Sequence, residues 1–413
     1  MRRAKIIRPQ YIGEFRCVAG ECEDSCCVGW AVSIDKDTYK KYQKIPAGPL
    51  RRLIDENVLL TPRNADGSEP AQFASMRMPP SKKCPMHNAE NLCQIQVEYG
   101  ESYLSRVCST FPRASFTIDN LKETTLSLSC PEAARIVLTH PDLLGEGSAE
   151  PAFIAWDDRP GAQTTPVNYL WPLREFTVTL LRNRNYALWQ RLFLLGLFCR
   201  RLETVIGEGP KGNFSALESG FTQAIATGTL SASIDTIQAN NALQLDLVLG
   251  LAKRKVDGGK LSPRLTESWN VFLEGIGGES LPFEKQCEAY AAAYTNFYAP
   301  FFLEHPFMLE NFLLNKALLA LFPFGPDVFS KQGAFEPARQ YALLVTEFAL
   351  IKGLLIGVAG CRKQAFSVAD VVQTVQVVVK HFEHDHGFVS VCLETLAAKG
   401  LDNAHGLTML LRN

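Results

Sequence analysis

The sequence lacks a charge imbalance: 42 Lys and Arg residues face 43 Asp and Glu residues, for a net charge of -1. That total shows no bias toward a polyanion, which argues against a nucleic-acid partner. Long apolar runs are also missing. The richest, residues 192–199 and 354–359, fall far short of the roughly 20 residues a membrane-spanning helix needs. The N-terminal stretch MRRAKIIRPQYIGEF has no apolar h-region of the kind a secretory leader carries. The chain therefore reads as cytoplasmic. The four positive charges of that stretch read first as a solvated tail, leaving peripheral contact with an anionic membrane open. There is no internal repeat, no low-complexity tract and no long like-charge block. With aromatic residues at 10%, disorder is excluded for most of the chain.

What is present is cysteine. Of twelve cysteines, eight lie within the first 130 residues: Cys17, Cys22, Cys26, Cys27, Cys84, Cys93, Cys108 and Cys130. A reducing compartment disfavours structural disulfides, so such a cluster points to metal or redox chemistry. Thiolates are soft ligands that select zinc, copper(I) or iron–sulfur clusters. Four of them from distant stretches can close a tetrahedral zinc site or hold a four-iron cluster. Proline follows Cys84 and Cys130 and lies near Cys108, stiffening the chain beside the sulfurs. A buried group of free thiols is the plainer alternative. The spacing Cys22-x3-Cys26-Cys27 is not the CxxxCxxC of the radical-SAM superfamily. His87 could replace a thiolate, although a lone loop histidine is more often solvated. His381, His384 and His386 read as a polar helix end. Cys199, Cys287, Cys361 and Cys392 are scattered through apolar helical patterns and read as core.

The 413 residues suffice for two domains and a sizeable core. Residues 1–135 hold the clustered cysteines and little helical periodicity, and so read as a small irregular metal-binding module. Residues 136–165 read as a linker or irregular connection. Residues 166–413 carry repeated helical periodicity, so the expected class is mainly α. Helices are expected near 169–182, 188–206, 216–226, 241–255, 263–273, 283–299, 304–321, 336–358, 367–384 and 391–399. Ser367 and Asp370 make an N-terminal cap. The segment after them is rich in valine, which leaves a strand open as the alternative.

The runs FRCVAGECEDSCCVGWAVSID, CSTFPR and LSCPEAAR, with the later ENFLLNKALLALFPFG, resemble the bacterial flagellin lysine-N-methylase family. The likeness spans nearly the whole chain. The cysteine blocks alone also resemble a broader group of zinc- or iron-chelating domains. The longer resemblance implies an enzyme that moves a methyl group from S-adenosylmethionine to lysine ε-amines of flagellin. It further implies an iron–sulfur cluster, of the [4Fe-4S] type, held by the N-terminal cysteines, with zinc as the alternative metal.

Methylating a lysine requires a neutral amine, although free lysine has a pKa of about 10.4. A site must desolvate the ammonium or offer a base. A doubly wound methyltransferase carries a glycine-rich turn after its first strand. The stretches at Gly145–Gly147 and Gly275–Gly278 follow no apolar strand, so that fold is not expected. The helix near 304–321 is apolar nearly all round and so should be buried, yet it carries Glu310, Asn311 and Asn315. Glu310 is the candidate to bind or deprotonate lysine. Asn311 and Asn315 share a face and are candidates to line a cofactor pocket, or else to cap neighbouring chain ends. Arg113 is a candidate for the cluster sulfurs or a cofactor carboxylate. Two other readings stand beside the methylase: a zinc-stapled, non-catalytic binding module and a cluster-containing oxidoreductase. The oligomeric state is not legible.

Overall fold

The computed structural model describes the chain except residues 1, 6–8, 30–31, 64–69, 71, 82, 119–120, 146–152, 157–168, 210–211, 231–233, 235–236, 258–261, 326–334 and 384. The fold is mainly α. Its described sheets are small and antiparallel: β1 (Arg2–Lys5) with β7 (Phe153–Trp156), a β2–β4–β3 triplet (Ser33–Ile34, Ala74–Met76, Val58–Leu60), and the hairpin β5 (Arg113–Ile118) with β6 (Leu121–Leu126). None has the parallel order of a doubly wound nucleotide-binding fold.

Buried apolar side chains form two clusters. The smaller one includes Ile34, Tyr42, Ile54 and Met86, with Cys27, Cys93 and Cys108 packed against it. The larger one takes in Tyr11, Phe15, Leu126, Val137 and the helices beyond residue 169. Tyr11, Phe15 and the β6 end therefore pack with the helical body. The basic stretch read as a solvated tail is paired backbone to backbone over Arg2–Lys5. Running into the expected connection of 136–165, α5 (Pro131–Thr139) begins with Pro131 in its first turn and buries Ala133, Ala134, Val137 and Leu138.

The centre of the body is α14 (Pro337–Arg362), enclosed on nearly every side and packed against α7 (Leu188–Gly207) and α10 (Pro263–Gly275). Glycine permits the closest approach: a Cβ on Gly275 would lie 1.7 Å from the Gly357 carbonyl oxygen. The stretch 337–365 is long and apolar enough to span a bilayer by length and composition, but 94% of its apolar window is buried inside the protein. Sequence runs alone understated it because Glu347 and Lys352 interrupt the apolar residues. The valine-rich segment is a helix, α15 (Val368–Val378). The Asp370 carboxylate accepts hydrogen bonds from the Ser367 N–H (2.9 Å) and hydroxyl (2.7 Å), which sets its start. Val371, Val372, Val375, Val377 and Val378 then bury against neighbours that include α5 and α14.

Lys352, on α14, is fully enclosed. Its ammonium donates to the Leu411 carbonyl and faces the Tyr294 ring 5.9 Å away. Burial draws its pKa down to about 7. The unfolded chain keeps an ordinary lysine pKa near 10.4. Between those values the unfolded state binds the extra proton, so stability should rise with pH from about 7 to about 10. Lys352→Met is expected to raise the melting temperature at pH 7 and to flatten that rise. Thermal melts of both proteins across the range check it.

Candidate functional site

The site is built first from backbone turns that carry sulfur. Cys17 and Cys22 flank a short 3-10 turn, Ala19–Glu21, and the Cys17 sulfur accepts the Ala19 N–H at 3.4 Å. Ser25 then takes the Cys27 N–H on its hydroxyl (3.1 Å). The Cys27 carbonyl accepts the Cys84 N–H at 2.8 Å, which joins the two cysteine stretches directly. Cys93 precedes α3 (Gln94–Tyr99), Cys108 lies in α4 (Arg106–Thr110) and Cys130 precedes α5. Helix starts leave N–H groups without helical partners. The sulfurs of Cys93 and Cys130 receive such donors, from Ile95 and Gln96 and from Glu132 and Ala133.

All eight cysteines singled out by sequence are brought together, in two adjoining groups. Cys27 is the hub of the first, with Cys26 hydrogen-bonded to it and Cys84, Cys93 and Cys108 within electrostatic reach. Cys17, Cys22 and Cys130 form the second, and Cys17 also reaches Cys26. The Cys26 hydrogen bond depresses Cys27 to about 7, helped by Ser25 and the ammonium groups of Lys380 and Lys83. Burial pushes Cys84 up to about 12 and Cys108 and Cys130 to about 11. A metal would therefore have to displace protons from most of these sulfurs.

A tetrahedral zinc ion with Zn–S bonds of about 2.3 Å needs its sulfurs within about 4 Å of one another. Among the described residues, no three His, Cys, Asp or Glu side chains converge tightly enough to hold a single ion. A multi-iron cluster spaces its thiolates more widely and draws on N–H···S hydrogen bonds, of the kind that Cys17, Cys93 and Cys130 accept here. His87 lies at the edge, with Nε2 3.4 Å from the Ser25 hydroxyl. Of the later histidines, His381 Nε2 is 2.7 Å from the Ser262 hydroxyl, and His384 lies outside the described residues.

One anchor was not singled out from sequence. Lys380 donates to the Asp24 carboxylate (2.6 Å) and the Ser25 carbonyl (3.2 Å). Gln376 donates to Asp24 (2.8 Å) and to the Ser129 carbonyl (3.0 Å). Two polar side chains at i, i+4 on an otherwise valine-rich face were the available signal.

Beside Cys108 lies a cavity of about 440 Å³. Val107 and Thr110 of α4 line it, as do Phe111, Arg113, Phe322 and Phe388. Its wall is mainly apolar, and two opposite charges meet there. Lys316, on α13 (Phe307–Leu319), and Glu347, on α14, are 2.7 Å apart with side-chain exposures of 15% and 11%. Arg113 adds a third charge at the wall, with its guanidinium 4.9 Å from the Phe15 ring centre and 3.4 Å from the Phe15 carbonyl.

The other sequence candidates lie on α13 but are not among the cavity's lining residues. Glu310 accepts from Arg184 (2.8 Å) and Arg191 (2.6 Å), so moving a proton through it would mean breaking these bonds. Asn311 donates to the Val137 and His140 carbonyls at the end of α5 (2.9 and 2.6 Å). Asn315 donates to the Leu126 carbonyl (2.9 Å) and accepts from Tyr11 (2.6 Å) and Thr125 (2.8 Å).

Residues 174–410 match the model of the FliB lysine N-methylase C-terminal domain. The chain belongs to the FliB lysine N-methylase family. As a member it is a protein-lysine N-methyltransferase. The matched span contains Lys316, Glu347 and Phe388 of the cavity, and Gln376 and Lys380 of the anchor. The chain is 24% identical over 363 residues to the Lysine-N-methylase of Salmonella typhimurium, covering 85% of each chain, and the Lysine-N-methylase of Salmonella choleraesuis aligns to the same extent. It is 32% identical over 148 residues to the Flagellar biosynthetic protein FliU of Salmonella muenchen, covering 36% of this chain and 85% of that one. No solved structure matches it.

Proposed function

We propose that the protein transfers a methyl group from S-adenosylmethionine to lysine ε-amines of flagellin in the cytoplasm, and that it depends on an iron–sulfur cluster held by the N-terminal cysteines. The observation that carries this reading is the position of the cavity. It shares α4 with Cys108, has a volume within the range of about 300–1,000 Å³ usual for small-molecule sites, and presents a lysine–carboxylate pair in apolar surroundings. S-adenosylmethionine supplies an electrophilic methyl group when bound. The chain's own residues do the rest. Phe111, Phe322 and Phe388 exclude water, which disfavours an ammonium and favours the neutral amine. Arg113 offers a guanidinium to the donor's carboxylate. Cys27 and its four sulfur neighbours would hold the cluster, with Cys17, Cys22 and Cys130 completing its surroundings. The relatives' names, one a flagellar protein, support flagellin as substrate.

In this reading residues 1–135 contribute the sulfurs and the α4 wall, and the helical body contributes the charged pair. Protein purified without air should be brown, contain iron and labile sulfide, and move labelled methyl groups from S-adenosylmethionine to flagellin. Colourless protein with zinc alone, and no transfer, would favour a stapled binding module.

A further inference from the structure

Among the described residues that line the cavity, Glu347 is the carboxylate. The titratable and charged groups that line the cavity with it, among the described residues, are Lys316 from α13, Arg113 from β5 and Cys392 from α16 (His386–Ala398). Burial and Glu347 together push the Cys392 thiol up to about 12, so it stays protonated and cannot serve as the base. Lys316 and Arg113 are cations. Among these described groups Glu347 is the acceptor for a proton, and a lysine ammonium already sits on it at 2.7 Å.

We propose that this cavity receives the substrate lysine and that Glu347 is the catalytic residue that takes its proton. Lys316 occupies in the resting protein the place of the incoming ammonium. The proposal rests on the methyl-transfer reading above and names the site of that reaction. The arriving ammonium exchanges for Lys316 at the carboxylate and gives Glu347 one proton. The freed nitrogen lone pair then forms the N–CH3 bond. The S–CH3 bond of the sulfonium donor breaks, and its electron pair stays on sulfur, which leaves as a neutral thioether. Charge balances: the sulfonium's positive charge passes to the methylated nitrogen, which can lose a further proton later. When product leaves, Glu347 gives its proton to solvent at the open cavity mouth, and Lys316 swings back to the regenerated carboxylate.

The test uses the full-length protein. Glu347→Gln alone strands the half-buried Lys316 ammonium and could unfold the chain. The pair is therefore replaced together as Lys316→Met/Glu347→Gln, since loss of both partners is far milder than loss of one. Glu347→Asp, which keeps the charge, is made beside it. Methyl transfer from S-adenosylmethionine to flagellin is followed from pH 7 to 10. A positioned base contributes about 10²–10⁴-fold. The double variant should fall at least about 100-fold at pH 7.5 and then regain about tenfold per pH unit, as the substrate lysine loses its own proton. The wild type should rise less steeply, and Glu347→Asp should keep the wild-type profile at reduced rate. Independently of turnover, n-butylamine, a lysine side-chain mimic, should raise the melting temperature of the wild type and not of the double variant.

A folded double variant with wild-type turnover, or one with reduced turnover but a wild-type pH profile, would overturn the assignment of Glu347. An equal effect of n-butylamine on both proteins would do the same. A wild type that moves no methyl group to flagellin would instead overturn the methyl-transfer reading, and this proposal with it.

Discussion

Cys27→Ala is expected to abolish methyl transfer and to strip iron from protein purified without air. The expectation follows from its place among the sulfurs. Cys26 bonds to it, and Cys84, Cys93 and Cys108 each feel its charge. It is also the thiol closest to ionised at neutral pH, depressed to about 7 by Cys26 first and then by Ser25 and two ammonium groups. A metal binds the thiolate, so this is the sulfur that needs least proton displacement. Cys287→Ala is the control: it removes a half-exposed thiol on α11 (Phe283–Ala293) and should leave iron and activity intact. Iron and sulfide analysis beside a labelled-methyl assay checks both. Iron retained in Cys27→Ala at the wild-type ratio would remove Cys27 from the binding set.

Glu310→Gln is expected to cost about 3–5 kcal/mol of stability, the usual loss when one partner of a buried ion pair is removed. Its carboxylate is 4% exposed and the Arg191 side chain 7% exposed, with the two 2.6 Å apart. Arg191 also donates to the Leu181 and Tyr186 carbonyls, so it holds the turn between α6 (Leu170–Leu181) and α7 onto α13. The amide of Gln cannot neutralise the guanidinium, which stays buried with its charge uncompensated. Urea unfolding of the variant against wild type measures the loss. Activity lost with stability unchanged would return Glu310 to the proton-transfer role that its sequence context suggested.

Much of this arrangement was legible before any coordinates. The chemistry of cysteine is strong enough that eight thiols in 130 residues could be chosen by type, and the fold sets them in two adjoining groups, with no three close enough among the described residues to hold a single ion. Helical periodicity placed most helices of the body within a few residues, because those faces bury large aliphatic side chains. Where the helix expected near 283–299 holds a π-turn at Tyr294–Tyr298, and where His305 breaks the one expected from 304, periodicity had no means of showing the interruption. The β5–β6 hairpin was missed because its residues, RASFTI and LKETTL, alternate too weakly to stand out.

The cavity was invisible for a different reason. Its walls come from α4, β5, α13, α14 and α16, and the pairing of Lys316 with Glu347 joins residues that no local pattern relates. Glu310, Asn311 and Asn315 drew attention as polar residues in an apolar helix, and all three find partners more than 100 residues away. A sequence can show that a buried polar group needs a partner without showing which one it finds.

Asp24 is held by Gln376 and Lys380, separated from it by 352 and 356 residues. At about 5–20 residues per second, a ribosome releases the cysteine loop roughly 20–70 seconds before that anchor has been made. During synthesis the nascent loop therefore waits without the ammonium that neutralises Asp24 and lowers Cys27. If the loop takes the cluster proposed above, loading onto a settled loop would belong to the finished chain, after translation, and not to the growing one.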